Sequence, residues 1–155
     1  MTKISNIYDD LTTLGQTLYP DHSELVNPYD VTLNDNITLK AAWGYTMGPG
    51  FNTNKCAGQE ATIERSVTFT LTRKIFAGVN RINESMTARK TAEKALLEDQ
   101  WLLIQKLTED TFVSLFTNLA KLQFESDNGV EFVRVGEFDL IAINSILIVE
   151  YFEHI

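Results

Sequence analysis

The chain has one cysteine in 155 residues, Cys56, so no disulfide can close within it and no cluster of thiolates can hold a metal. Only three prolines are present, and no low-complexity tract, which argues against both fibrous and disordered classes. Histidine is nearly absent. His22 stands in a loop-like stretch and His154 near the C-terminus, neither has a neighbour at metal-ligand spacing, and both are expected to be solvent-exposed. Long apolar runs are missing too. No window reaches the roughly 18 uninterrupted apolar residues of a membrane span, and MTKISNIYDD lacks the apolar core of a signal peptide, so a cytoplasmic site of synthesis and no membrane partner are expected.

Positive charge is also in deficit. Thirteen Lys and Arg face 21 Asp and Glu, a net charge of −8. The imbalance is uneven: residues 1–54 carry two basic and six acidic side chains, residues 55–107 nine and six, and residues 108–155 two and nine. Tight wrapping of a phosphate backbone needs clustered Lys and Arg to displace counterions, and this distribution does not supply them. What is present is ordinary for a globular chain, with 44% hydrophobic and 22% charged residues, and the length suits one domain.

Ile4, Ile7, Tyr8, Leu11, Leu14 and Leu18 recur at steps of three and four, which predicts an amphipathic helix ended by Pro20. Residues 20–38 hold no sustained period and read as loop. From Thr38, TLKAAWGYT reads as a strand that breaks at Gly48-Pro49-Gly50. Over residues 62–76, Ile63, Val67, Phe69, Leu71 and Ile75 take odd positions, while threonine dominates the even ones. Period two with β-branched residues predicts a long strand with one buried face. Its threonine face is open to water or to a neighbouring subunit.

A second helix is expected from a cap at Asn83 or Ser85 to Leu107, burying Ala88, Ala92, Ala95, Leu96, Leu102, Leu103 and Leu107. Leu97, Trp101 and Ile104 form a second apolar row, expected to pack under the first helix or else to face a partner. NLAKLQFES and VEFVRV read as a hairpin turning at Asp127-Asn128-Gly129. In the last segment, Ile146 to Val149 is apolar on both faces and belongs in mid-sheet or under cover on both sides. The expected fold is α+β, a mainly antiparallel sheet packed by two helices in a single domain.

The stretch AAWGYTMGPGFNTNK, residues 41–55, concentrates glycine and asparagine beside Trp43 and Phe51, which look exposed. A phosphate-binding loop would lead into a helix N-terminus and place lysine after a glycine. Here Pro49 removes a donor, Lys55 follows Asn54, and a strand comes next. No nucleophile elbow is present, and the carboxylate pairs Asp9-Asp10, Glu109-Asp110 and Glu137-Asp139 read as solvated surface. No catalytic constellation, cofactor or metal is expected.

The order of elements resembles the tail-terminator and head–tail joining proteins of tailed bacteriophages. The likeness is carried by ISNIYDDLTTLGQTL, by the strand ending FTLTRKIF, by the helix around KALLEDQWLLIQKL, and by KLQFESDNGVEFVRVGEFDLIAINSILIVEYFE. Trp43-Gly44 and Gly48 to Asn54 add a texture similar to phage neck proteins. The resemblance implies a non-enzymatic virion protein, commonly a homohexameric ring, that caps the tail tube and joins it to the head-side connector or completion proteins while DNA passes through the lumen. On that reading Trp43, Gly48, Pro49, Gly50, Phe51, Asn52, Thr53 and Asn54, with the Leu97, Trp101 and Ile104 row, are the expected contact residues. Head completion or an adaptor role in the neck is the nearest alternative. A small cytoplasmic enzyme or ligand-binding domain with residues 44–55 as a lid is the alternative from another class. The charge distribution predicts weak binding of duplex DNA at physiological salt, measurable by fluorescence anisotropy, and a nanomolar dissociation constant would overturn it.

Overall fold

A computed structural model describes residues 4–24, 41–53, 60–75, 82–135 and 138–154. Helix α1 spans Ile4–Leu18 and is followed by a two-residue strand β1, Ser23–Glu24. Strands β2 (Ala41–Asn52) and β3 (Glu60–Lys74) precede the long helix α2 (Ile82–Leu107), a single turn α3 (Asp110–Val113), and strands β4 (Lys121–Val135) and β5 (Phe138–His154). Among the described residues these strands make one sheet in the order β1-β2-β3-β5-β4, antiparallel except for the short β1–β2 pair. The fold is α+β, as the residue pattern predicts.

Directly paired residues share a face of the sheet, which separates two surfaces. On the first face lie Trp43 with Leu71 and Ile143, Met47 with Val67 and Leu147, and Leu122 with Val149. Both long helices pack here. Ile7, Leu11 and Leu14 of α1 and Leu96 and Leu103 of α2 meet Val67, Phe69 and Leu71 in one core, as the period-two and helical patterns require. Trp43 is 1% exposed and stacks on Phe69 with centroids 5.6 Å apart and planes 2° from parallel. The expectation of a surface tryptophan is therefore corrected. Gly15 makes the arrangement possible, because a Cβ there would stand 2.3 Å from the indole ring. Removing the side chain from α1 lets the helix lie directly on the tryptophan.

Several boundaries differ from expectation for identifiable reasons. β2 continues through Gly48-Pro49-Gly50 instead of breaking, absorbing them in a bulge between Met47 and Gly50. β4 likewise runs through Asp127-Asn128-Gly129, which is not a hairpin turn. Gly129 takes φ 81° and donates its N–H to Asp127 Oδ1 at 2.7 Å, so the local turn chemistry is satisfied inside a bulge. The hairpin closes later, after the Val135–Phe138 pair, and its connection at residues 136–137 lies outside the described residues, as does most of the expected 20–38 loop. α2 begins at Ile82, ahead of the expected caps Asn83 and Ser85. The mid-sheet expectation for Ile146 to Val149 holds, since β5 is flanked by both β3 and β4.

Gly15→Ala should cost about 1–3 kcal/mol, the range for forcing extra volume into a packed core. Urea denaturation followed by tryptophan fluorescence measures it, and an unchanged midpoint would refute the close-packing argument.

Candidate functional site

The second face of the sheet divides in two. At one end Ala42, Thr72, Ala142 and Leu140 are fully buried, and Thr70 donates its hydroxyl proton to Asn144 Oδ1 at 2.6 Å. Half of the threonine face is thus interior. At the other end Thr46, Gln123 and Ser126 are exposed, and Ser66, Thr68, Ile146 and Ile148 are half-exposed. Both long helices are on the opposite side, which leaves two isoleucines of the central strand incompletely covered.

Phe51 reaches this same open end because of the bulge. Side chains alternate along a strand, so an uninterrupted β2 would carry Phe51 on the helix face with Trp43, Tyr45 and Met47. One extra residue reverses the parity. Phe51 consequently pairs with Glu64, on the outer face, and is 61% exposed. The bulge is held by named contacts. Arg65 Nη1 donates to the Gly48 carbonyl at 2.9 Å, and Ser66 Oγ donates to the Pro49 carbonyl at 3.4 Å. A Cβ on Gly48 would lie 2.3 Å from Ser66 Oγ, so the glycine is there for close approach of the two strands. Gly48 to Asn52 are strand, not a free loop, and Gly50, Phe51 and Asn52 pair with β3. Thr53 continues the pairing through its N–H to the Thr62 carbonyl at 2.9 Å, whereas Asn54 lies outside the described residues.

The second apolar row of α2 does not pack under α1. Leu97 is 44% and Trp101 60% exposed, with Ile104 half-buried beside them. The row borders a shallow groove of about 590 Å³ flanked by Lys90, Glu93, Lys94 and Glu98. α1 is engaged elsewhere, against β2 and the Trp43 ring, so it leaves this side of α2 to solvent. The structure does not bring Trp101 and Phe51 together. One is on the outside of the helix layer and the other on the outside of the sheet.

His22 is the group that sequence reasoning misjudges. It is not a free surface histidine, because Asp99 binds its Nε2 at 3.2 Å and its side chain is only 10% exposed. Arg73 donates to the same carboxylate through Nε at 2.7 Å and Nη2 at 2.8 Å. Since an ionised carboxylate only accepts, the proton of His22 sits on Nε2. Burial pushes the Asp99 pKa up, but the hydrogen bonds from His22 and Arg73 and the guanidinium charge outweigh it and hold the carboxyl below its usual range. The Tyr19 hydroxyl donates to the Asp99 carbonyl at 2.6 Å, and burial first, then the nearby carboxylate, pushes its pKa far above the usual phenol range. These groups border a cleft of about 390 Å³ with Leu18, Ala41 and Leu102. Each oxygen of Asp99 is engaged by a donor, which makes the cluster a latch tying the end of α1 to β3 and α2. A partner 77 residues away leaves no local signal in the sequence.

Among the described residues no group of three His, Cys, Asp or Glu side chains could hold a metal ion, and no helix is long and apolar enough to cross a membrane. No protein-family model and no curated protein matches the chain.

Asp99 contributes stability that is present above the unfolded carboxyl pKa of about 3.9 and lost as pH falls through its lower folded value. Asp99→Asn should cost on the order of 2 kcal/mol at pH 7, the scale of hydrogen bonds to a charged group. Urea titrations should show that deficit shrinking as the wild type is taken below the folded pKa. A deficit unchanged in acid would rule out the ionic latch.

Proposed function

We propose that the protein is a non-enzymatic structural subunit of a tailed-bacteriophage virion, assembling into a ring at the head–tail junction that caps the tail tube and joins it to the head connector. The resemblance in element order supplies the family. The observation that carries the assembly reading is Trp101, an indole 60% exposed in the C-terminal third of a 26-residue helix, next to Leu97 at 44%. Large aromatic side chains left open beside other apolar groups mark protein contacts, and tryptophan is prominent among residues that dominate binding energy. The core does not need this row, since Leu96, Leu103 and Leu107 already fill the inner side of α2.

Charge supports the same role. A subunit through whose ring DNA must move gains from a surface that does not hold phosphate, and the net charge of −8 disfavours such adhesion. A ring uses a heterologous contact, in which two different patches of each copy meet. The exposed patches on the helix and sheet layers meet that requirement.

Native mass spectrometry and sedimentation velocity test the reading. The expected species has a mass near six times the 17.5 kDa chain, or another closed multiple. A chain that stays monomeric at tens of micromolar and does not bind tail tubes would overturn it. Trp101→Ala should change folding stability by no more than about 0.5 kcal/mol, as for an exposed position, while shifting the assembly toward monomer. A variant that is unchanged in mass would remove the row from the interface.

A further inference from the structure

The open end of the sheet contains an unfavourable arrangement of charge. Glu64 of β3 and Glu150 of β5 stand directly opposite each other, and like charges at that position repel. Lys121 of β4, paired with Glu150 in register, answers Glu64 at 3.9 Å. The same cross-strand row ends at Phe51. One row further lies Ile148 between Ser66 and Gln123, and the next holds Ile146 between Thr68 and Ser126. Phe152, 42% exposed, flanks the carboxylates on the other side.

The outside of α2 carries exposed lysines on its apolar stripe, with Glu93 and Glu98 at the edges of the same groove. Lys90 and Lys94 are exposed, lie one turn apart, and form no ion pair among the described residues. Arg89, beside them, is occupied over the Phe132 ring at 5.1 Å. Continuing along the same stripe come Leu97 and then Trp101.

The two patches match in order and in spacing. At 1.5 Å per residue, Leu97 and Trp101 lie about 4.5 and 10.5 Å beyond Lys94 along the helix. At 3.3 Å per residue, Ile148 and Ile146 lie about 6.6 and 13 Å beyond Glu150 along the strand. A helix laid on the sheet parallel to β3 would set the lysines against Glu64 and Glu150, Leu97 near Ile148 and Trp101 near Ile146. Its Lys90–Ile104 stripe is about 21 Å long, against about 20 Å of strand from Thr62 to Thr68. Because α2 lies on one side of the sheet and the open end faces the other, a chain cannot make this contact with itself.

We propose that the open sheet face of one copy, around Glu64, Glu150, Ile148, Ile146 and Phe51, receives the outer stripe of α2 from a second copy of this chain. The inference rests on the ring reading above and names the contact that would close it. The joint is head-to-tail: each copy offers its helix on one side and its sheet on the other, so association continues until the ring closes. The contact sets Lys90 and Lys94 against the facing Glu64 and Glu150 and covers the apolar groups that each layer leaves exposed.

Reversed charges test the pairing. Lys94→Glu and Glu150→Lys are prepared as separate full-length variants, with circular dichroism to establish that each folds. Sedimentation velocity should show each alone associating about tenfold or more weakly than wild type, because like charges then meet across the joint. An equimolar mixture should recover wild-type mass, since the altered helix of one variant then meets the altered sheet of the other with the two charges exchanged, and unaltered helices meet unaltered sheets. If the wild type forms a closed oligomer and the mixture stays dissociated, or only one variant is impaired, the helix-on-sheet contact is wrong while the ring reading stands. If the wild type is monomeric under all conditions, the ring reading fails with it.

Discussion

The fold depends on the Trp43 indole being pressed between Gly15 of α1 and the Phe69 ring of β3. The indole lies 2° from parallel with Phe69 and contacts the helix where a methyl group would clash. This contact sets how closely α1 approaches the sheet. Leu11 and Leu14 are buried by the same approach, and the Tyr45 hydroxyl reaches Thr12 Oγ1 at 2.8 Å. α1 is thereby committed to β2, and the far side of α2 is left without a covering helix. The exposed Trp101 row follows from where the first helix is held.

A second constraint acts on the opposite surface. β2 alternates strictly from Ala41 to Met47, then takes an extra residue at the Gly-Pro-Gly segment, and that step moves Phe51 from the helix face to the outer face. Pro49 cannot donate to a ladder, so a bulge is where a strand can tolerate it. Arg65 and Ser66 tie the distorted backbone to β3, which keeps the change of parity local. Within the stretch that looks like a binding loop, Gly48 to Asn52 are strand, and the bulge turns one aromatic side chain, Phe51, to the outer face.

These two constraints leave apolar side chains on both outer surfaces of a two-layer molecule, with charged side chains beside each. The latch of His22, Arg73 and Asp99 belongs to neither surface. It fastens the exit of α1 between β3 and α2 and steadies the layer that presents Trp101.

Much of the architecture is legible in the residues. The odd-position run from Ile63 to Leu71, the stripe of α1, and the two-faced apolarity of Ile146 to Val149 specify a long strand, a packed helix and a central strand, because periodicity reports directly which face is buried. The surplus row of α2 is visible as well. Its exposure is not, since a sequence pattern counts apolar faces without saying which neighbour arrives to cover them. Asp127-Asn128-Gly129 and Gly48-Pro49-Gly50 announce turns, and local chemistry cannot tell a chain reversal from a bulge when the partner strand is distant in sequence. Trp43 and His22 elude a sequence reading for the same reason: their partners, Phe69 and Asp99, stand 26 and 77 residues away. What the sequence by itself determined is the set of elements and their buried faces. Only tertiary packing decided which residues remained outside, because exposure depends on contacts between segments that the order of residues does not place side by side.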